Sequence, residues 1–207
     1  SMIYFIGGAP RTGKSQLAKR LSVATGFSWL STDNLRESSE FLEVIPRSNP
    51  LLSNWINWRE SNYISKTFSI PVEKIIENQN LESLEVSKLV KGFVQSLDYN
   101  NRDFILEGVA LLPEFFDNDF INKYRIKFVC VGNTDFATFR KYSWENRVDG
   151  DWLEKVDERL FDNVILFSVK FSEIFRDESE HRGFKYYEVR SETFSNDLDS
   201  IIKLIAS

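Results

Sequence analysis

The sequence predicts a three-layer α/β domain, a parallel sheet of five strands with helices on both faces. Three observations carry this. Five short apolar runs rich in β-branched and aromatic residues are separated by helical patterns and not by hairpin turns. The segments between them repeat their apolar residues at the 3.6-residue period. A chain of 207 residues, 42% hydrophobic and 28% charged, is long enough to bury one sizeable core.

The predicted strands are Met2–Ile6, Phe27–Leu30, Phe104–Leu106, Ile126–Val131 and Tyr186–Val189. After the first, Leu17, Ala18, Leu21 and Ala24 share one helix face and Gly26 is the stop. Before the third, Val86, Leu89, Val90, Phe93, Val94 and Leu97 form a stripe. A pattern running from Trp152 through Val156, Leu160, Val164, Phe167 and Phe171 to Ile174 predicts the longest helix, and Leu198, Ile201, Ile202 and Ile205 the last. Residues 37–80 hold Pro46, Pro50 and Pro71 and no dominant period, and are read as a helical insertion with irregular connections. There is no internal repeat and no linker signal, so residues 1–207 are expected to form a single domain.

Composition excludes several classes. A net charge of −5 and a pI near 5.1 argue against nucleic acid as a partner, because holding long polyphosphates needs clustered Lys and Arg. The single cysteine, Cys130, lies in an apolar run, so neither an intrachain disulfide nor a thiolate metal site is available, and a reducing compartment suits the chain. No run of eighteen apolar residues predicts a membrane span, and Met2–Ile6 is too short and lacks the basic flank of a signal peptide. These features predict a cytoplasmic protein without membrane contact; nothing in them fixes an oligomeric state.

The motif that carries chemistry is Gly8-Ala9-Pro10-Arg11-Thr12-Gly13-Lys14-Ser15, with Gln16 following, set between the first strand and the first amphipathic helix. It matches G-x-x-x-x-G-K-[ST] in the context that pattern requires. From glycine's usual abundance, a chance match in a chain this long is expected on the order of once in a hundred sequences. Glycines at both ends let the backbone wrap a phosphate with its amides turned inward. Lys14 can meet the β- and γ-phosphates, the Ser15 hydroxyl can reach Mg²⁺, and the helix adds its positive end. ATP and Mg²⁺ are the implied cofactors, and the fold expected is that of the P-loop NTPases. The guanine-reading pair of motifs is missing: no Asp-x-x-Gly occurs, and Asn122-Lys123-Tyr124-Arg125 lacks the carboxylate. A Leu-Ser-Gly-Gly-Gln transporter signature is missing too, and the sole histidine, His181, sits in a charged stretch unsuited to a hydrolase base.

Ser31-Thr32-Asp33-Asn34-Leu35-Arg36 ends the second strand, at the sheet edge where ligands gather in open α/β folds. Asp33 can take the proton of an acceptor hydroxyl or help hold Mg²⁺, and Arg36, one turn on, can reach an anionic group. Asp33 or Thr32 can equally serve as a helix N-cap.

Together the phosphate loop, Thr32-Asp33-x-x-Arg36 and Phe104-Ile105-Leu106-Glu107-Gly108-Val109 with Pro113 downstream resemble the P-loop small-molecule kinases related to nucleoside monophosphate kinases. The nearest likeness is to the 2-phosphoglycerate kinase group. The resemblance implies ATP-dependent phosphoryl transfer to a small-molecule acceptor, with Asp33 as acceptor-activating base and Arg36 as acceptor or phosphate clamp. It further implies Glu107, beside Gly108, as a carboxylate acting through water on Mg²⁺, although aspartate is commoner there and a buried structural network would also use a glutamate.

Such kinases close a basic lid, for which residues 135–150 are the candidate, with Arg140 and Arg147 as its cations; a solvated helix face with Glu145 pairing locally is the alternative. In the insertion, Arg59 between Trp58 and Glu60 can face an acceptor, while Trp55 and Trp58, three apart, also describe a buried helix face. A nucleotide or nucleic-acid 5′-end kinase and an ATP-gated regulatory protein are the competing readings.

Overall fold

A computed structural model describes residues 1–41, 63–147, 153 and 156–206. Its strands are β1 (Ile3–Gly8), β2 (Ser28–Ser31), β3 (Phe104–Gly108), β4 (Ile126–Gly132) and β5 (Lys185–Glu188), all parallel in the order β2-β3-β1-β4-β5. Each lies where the sequence places a strand, with ends displaced by one or two residues. The described helices are α1 (Lys14–Thr25), α2 (Thr32–Phe41), α3 (Tyr63–Phe68), α4 (Val72–Tyr99), α5 (Asn118–Lys123), α6 (Phe136–Glu145), α7 (Glu158–Arg182) and α8 (Phe194–Ile205).

The three inner strands β3, β1 and β4 are largely apolar on both faces because both are covered. Phe5, Leu106, Phe128 and Cys130 point to the side packed by Val86, Val90 and Val94 of α4 and by Phe161, Val164, Phe171 and Phe175 of α7. Their neighbours Tyr4, Ile6, Ile105, Val129 and Val131 point to the other side, against Leu17, Ala18 and Leu21 of α1 and Leu198, Ile201 and Ile205 of α8. Much of the aromatic content goes into the first layer. The Phe5 ring meets those of Phe116 and Phe128 edge-on at 5.2 and 5.4 Å, a geometry that adds about 0.5–1.5 kcal/mol per pair beyond burial.

Local signals set the helix ends. Gly26 ends α1, donating its N–H to the Ser22 carbonyl at 2.8 Å, and Asp157 caps α7 through the amides of Arg159 and Leu160. Two expectations change. The longest described helix is α4, with 28 residues, and not the one before β5, which has 25 and starts at Glu158. The stripe seen from Val86 onward extends back to Pro71, which caps α4, so the end of the 37–80 insertion belongs to a long core helix. Its centre, including Trp55, Trp58 and Arg59, lies outside the described residues, as do 148–150 of the lid candidate. No described helix is long and apolar enough to cross a membrane.

Sheet register positions the site. Ser31 stands opposite Glu107, and Glu107 opposite Ile6, two residues short of Gly8. The carboxyl ends of β1, β2 and β3 therefore meet on one rim.

Candidate phosphate-loop and acceptor site

The phosphate loop leaves β1 at Gly8, where the chain runs so close to β4 that a Cβ would stand 2.1 Å from the Val131 carbonyl oxygen. Thr12 is buried, and its hydroxyl donates to the Ala9 carbonyl at 2.8 Å, closing the loop on itself. Arg11 and Gly13 both take positive φ, 63° and 93°, which turns successive amides toward the inside of the loop. Helix α1 follows with no side chain capping it and no acid in its first turn, whereas α5, α6 and α7 are each capped by an aspartate. Its first amides and dipole end are thus available to an anion.

Lys14 is buried, with Nζ donating to the Ala9 carbonyl at 2.7 Å. Burial lowers its pKa, and the negative charges of Glu107 and Asp33 partly oppose this. Ser15 donates its hydroxyl to Glu107 Oε1 at 3.0 Å. Glu107 is 3% exposed, and burial raises its pKa against the pull of Lys14 and the Ser15 and Ser31 hydroxyls.

This donor set fits a nucleoside triphosphate with a divalent cation: an ammonium and inward amides for phosphate, a hydroxyl backed by a carboxylate for the metal. Among the described residues no group of three or more His, Cys, Asp or Glu could hold a metal ion. A cation here would take its other ligands from phosphate and water, as Mg²⁺ does.

Asp33 opens α2, and the cap of that helix is neither Asp33 nor Thr32. The Asp33 amide donates to the Ser31 hydroxyl at 3.3 Å, which leaves the Asp33 carboxylate at the rim, 55% exposed. Its charge contributes to the shifts of Lys14, Glu107 and Glu82, in each case after burial. Thr32 is buried against Gly108, where a Cβ would fall 1.8 Å from its hydroxyl oxygen; the ends of β2 and β3 approach this closely only with glycine at 108.

Arg36 turns inward. Its side chain is 11% exposed, with Nη1 at 3.5 Å from Asp33 and 3.2 Å from the buried Glu82, and Nη2 at 3.8 Å from Glu37. Glu82 also accepts from Gln79 Nε2 at 2.7 Å. Sequence reasoning missed Glu82 and Gln79. The available signal was their place on the buried face of α4, where Ile75, Gln79, Glu82, Val86 and Val90 recur at helical spacing.

The structure thus brings together Gly8 through Ser15, Asp33, Arg36, Glu107 and Gly108, with Gln16 exposed at the edge of the loop. It does not bring the two lid arginines to them. Arg140 of α6 pairs with Asp162 and lies 3.9 Å from Glu158, both on α7, with its guanidinium 5.8 Å from the Phe161 ring. Arg147 folds back over the Trp144 ring at 3.4 Å and donates to the Trp144 carbonyl. Both cations are engaged on the α6–α7 side.

No family model matches the chain, and no curated protein matches it. Among solved structures it is similar to an uncharacterized protein from Eubacterium ventriosum, 17% identical, with a TM-score of 0.55 and coverage of 99% of this chain and 98% of that one. It is also similar to shikimate kinase from Bacteroides thetaiotaomicron, 13% identical, with a TM-score of 0.50 and coverage of 100% and 99%. At such identities the likeness is one of fold, an α/β architecture with a five-stranded parallel sheet.

Proposed function

We propose that the protein is an ATP-dependent phosphotransferase that moves the γ-phosphoryl group to a hydroxyl of a small metabolite. The observation that carries this reading is the meeting of the phosphate loop, the Ser15–Glu107 pair and an exposed, uncapping carboxylate at Asp33 on one rim of the sheet. A shikimate kinase with the same fold supports it, as does the motif resemblance to the 2-phosphoglycerate kinase group through Thr32-Asp33-x-x-Arg36 and Phe104–Val109.

The loop amides and Lys14 hold the polyphosphate and offset the charge that grows on it during transfer. Ser15 offers its hydroxyl oxygen to the metal, with Glu107 fixing that hydroxyl's direction. When bound, Mg²⁺-ATP supplies the transferable phosphoryl group and the charge neutralisation that its oxygens need. Asp33 accepts the proton of the acceptor hydroxyl and orients its oxygen. The acceptor hydroxyl lies between the Asp33 carboxylate and the terminal phosphate held by the loop.

The test is ATP consumption screened against small hydroxyl compounds, followed by Asp33→Asn. The substitution is expected to lower acceptor-dependent turnover by roughly 100-fold or more while calorimetric ATP affinity is unchanged. Full activity in Asp33→Asn removes the carboxylate from the base role, and ATP binding with no acceptor-dependent turnover favours an ATP-gated binding protein.

A further inference from the structure

Helix α4 buries an apolar stripe that Gln79, Glu82, Ser83 and Ser87 interrupt, and at Glu82 it meets Arg36 of α2. A carboxylate at a core position costs stability unless it is paired, and an apolar side chain of similar size would pack there as well. Glu82 is 2% exposed and spends its two oxygens in two directions: Oε2 accepts from Gln79 at 2.7 Å and Oε1 from Arg36 Nη1 at 3.2 Å. The same Nη1 donates to Asp33 Oδ1 at 3.5 Å. The result is a chain of four polar groups, Gln79, Glu82, Arg36 and Asp33, that begins inside the core and ends at the rim.

We propose that Glu82 is a positioning residue of this site: anchored by Gln79, it holds the Arg36 guanidinium beside Asp33, and through Arg36 it fixes where the Asp33 carboxylate stands. The inference rests on the phosphoryl-transfer reading above. Asp33 is on an exposed helix start, so without a fixed cation its carboxylate has several rotamers, and only one of them aims at an acceptor oxygen beyond the terminal phosphate. Arg36, enclosed by Asp33, Glu37 and Glu82, acts on the acceptor through Asp33 and does not clamp an anion itself.

The charged groups acting on Glu82 are Arg36 and Asp33 of α2, with Gln79 donating from its own helix; burial dominates and places its titration well above that of an ordinary glutamate. Protonation releases Arg36, so turnover falls on the acid side of a limb set by Glu82.

The experiment measures ATP turnover with magnesium, water serving as the acceptor, for wild type, Glu82→Gln and Glu82→Asp between about pH 5 and about pH 9. Glu82→Gln is expected to lower kcat roughly tenfold or more with KM for ATP within about twofold, and to move the acid limb down toward the range of ordinary carboxylates. Glu82→Asp, which keeps the charge, is expected to recover part of kcat. A lower Tm with kcat and the limb unchanged means that Glu82 only joins α2 to α4, and overturns the proposal. If Glu82→Gln does not fold, Glu82→Asp decides: wild-type kcat with the wild-type limb overturns it, reduced kcat at unchanged KM supports it. Wild-type protein that binds ATP but turns it over neither with water nor with any of the hydroxyl compounds screened above overturns the transfer reading, on which this inference rests.

Discussion

The Ser15 hydroxyl donates to Glu107 Oε1 across 3.0 Å, joining the first turn of α1 to the end of β3, 92 residues further along the chain. A hydroxyl so held presents its lone pairs away from the carboxylate, toward the loop, where a metal accompanying the polyphosphate would sit. Replacing the carboxylate by an amide keeps the shape and removes the charge. Glu107→Gln is therefore expected to weaken ATP binding about 10- to 100-fold in the presence of magnesium and hardly at all in its absence, as read by titration calorimetry with and without the metal. Equal losses in both conditions would assign Glu107 to a structural network.

Lys14 illustrates the cost of holding an ammonium ready. Burial depresses its pKa below the ordinary 10.5, so the folded state disfavours the bound proton at every pH below the depressed value, and that cost vanishes only as the pH rises toward 10.5. Lys14→Met removes the ammonium, and the Ala9 carbonyl keeps the Thr12 hydroxyl as donor. The variant is expected to be more stable than wild type by about 0.5–2 kcal/mol near neutral pH, by denaturant titration, with the difference shrinking in alkali. ATP affinity should fall about 10- to 100-fold, since a charge-assisted hydrogen bond is lost.

Gly13 is tied to the loop by geometry more than by contact with any ligand. Its φ of 93° is closed to other residues without strain, and a Cβ there would stand 2.9 Å from the Phe194 ring of α8. Gly13→Ala is expected to lower stability by about 1–3 kcal/mol, measured by urea titration. Adding Phe194→Leu should return the steric part and leave the backbone part.

What was legible in the sequence follows from the range of each signal. The loop, Asp33 and Glu107 could be read because each lies at the end of a strand marked by its own apolar run, and strand ends share a rim in a parallel sheet. The Gly26 stop is equally local. The cap of α2 stayed open because Ser31, Thr32 and Asp33 are all good caps, and it is the Ser31 hydroxyl that accepts from the Asp33 amide. Helix α4 was read short because Gln79, Glu82 and Ser83 break its stripe, and the partner of the buried Glu82 is Arg36, 46 residues away. The inward turn of Arg36 and the engagement of Arg140 with α7 depend on pairings between distant elements, which no local pattern encodes.

Cys130 supplies a readout that does not depend on knowing the acceptor. It is fully buried in β4, and burial pushes its thiol up to about 12, so the reactive thiolate is scarce in the folded protein. Labelling by a thiol reagent near pH 8 must then proceed through opening of the sheet. Because the loop leaves β1 directly beside Val131 of β4, that opening also dismantles the phosphate site, and a ligand bound there suppresses it. At an ATP-magnesium concentration of about 100 times Kd, mass action stabilises the closed form by about 2.7 kcal/mol, so labelling should slow roughly a hundredfold when reclosing outpaces modification. Labelling as fast with ATP as without would show either that no nucleotide binds or that β4 opens independently of the loop, and titration calorimetry of ATP-magnesium on the same protein separates these two outcomes.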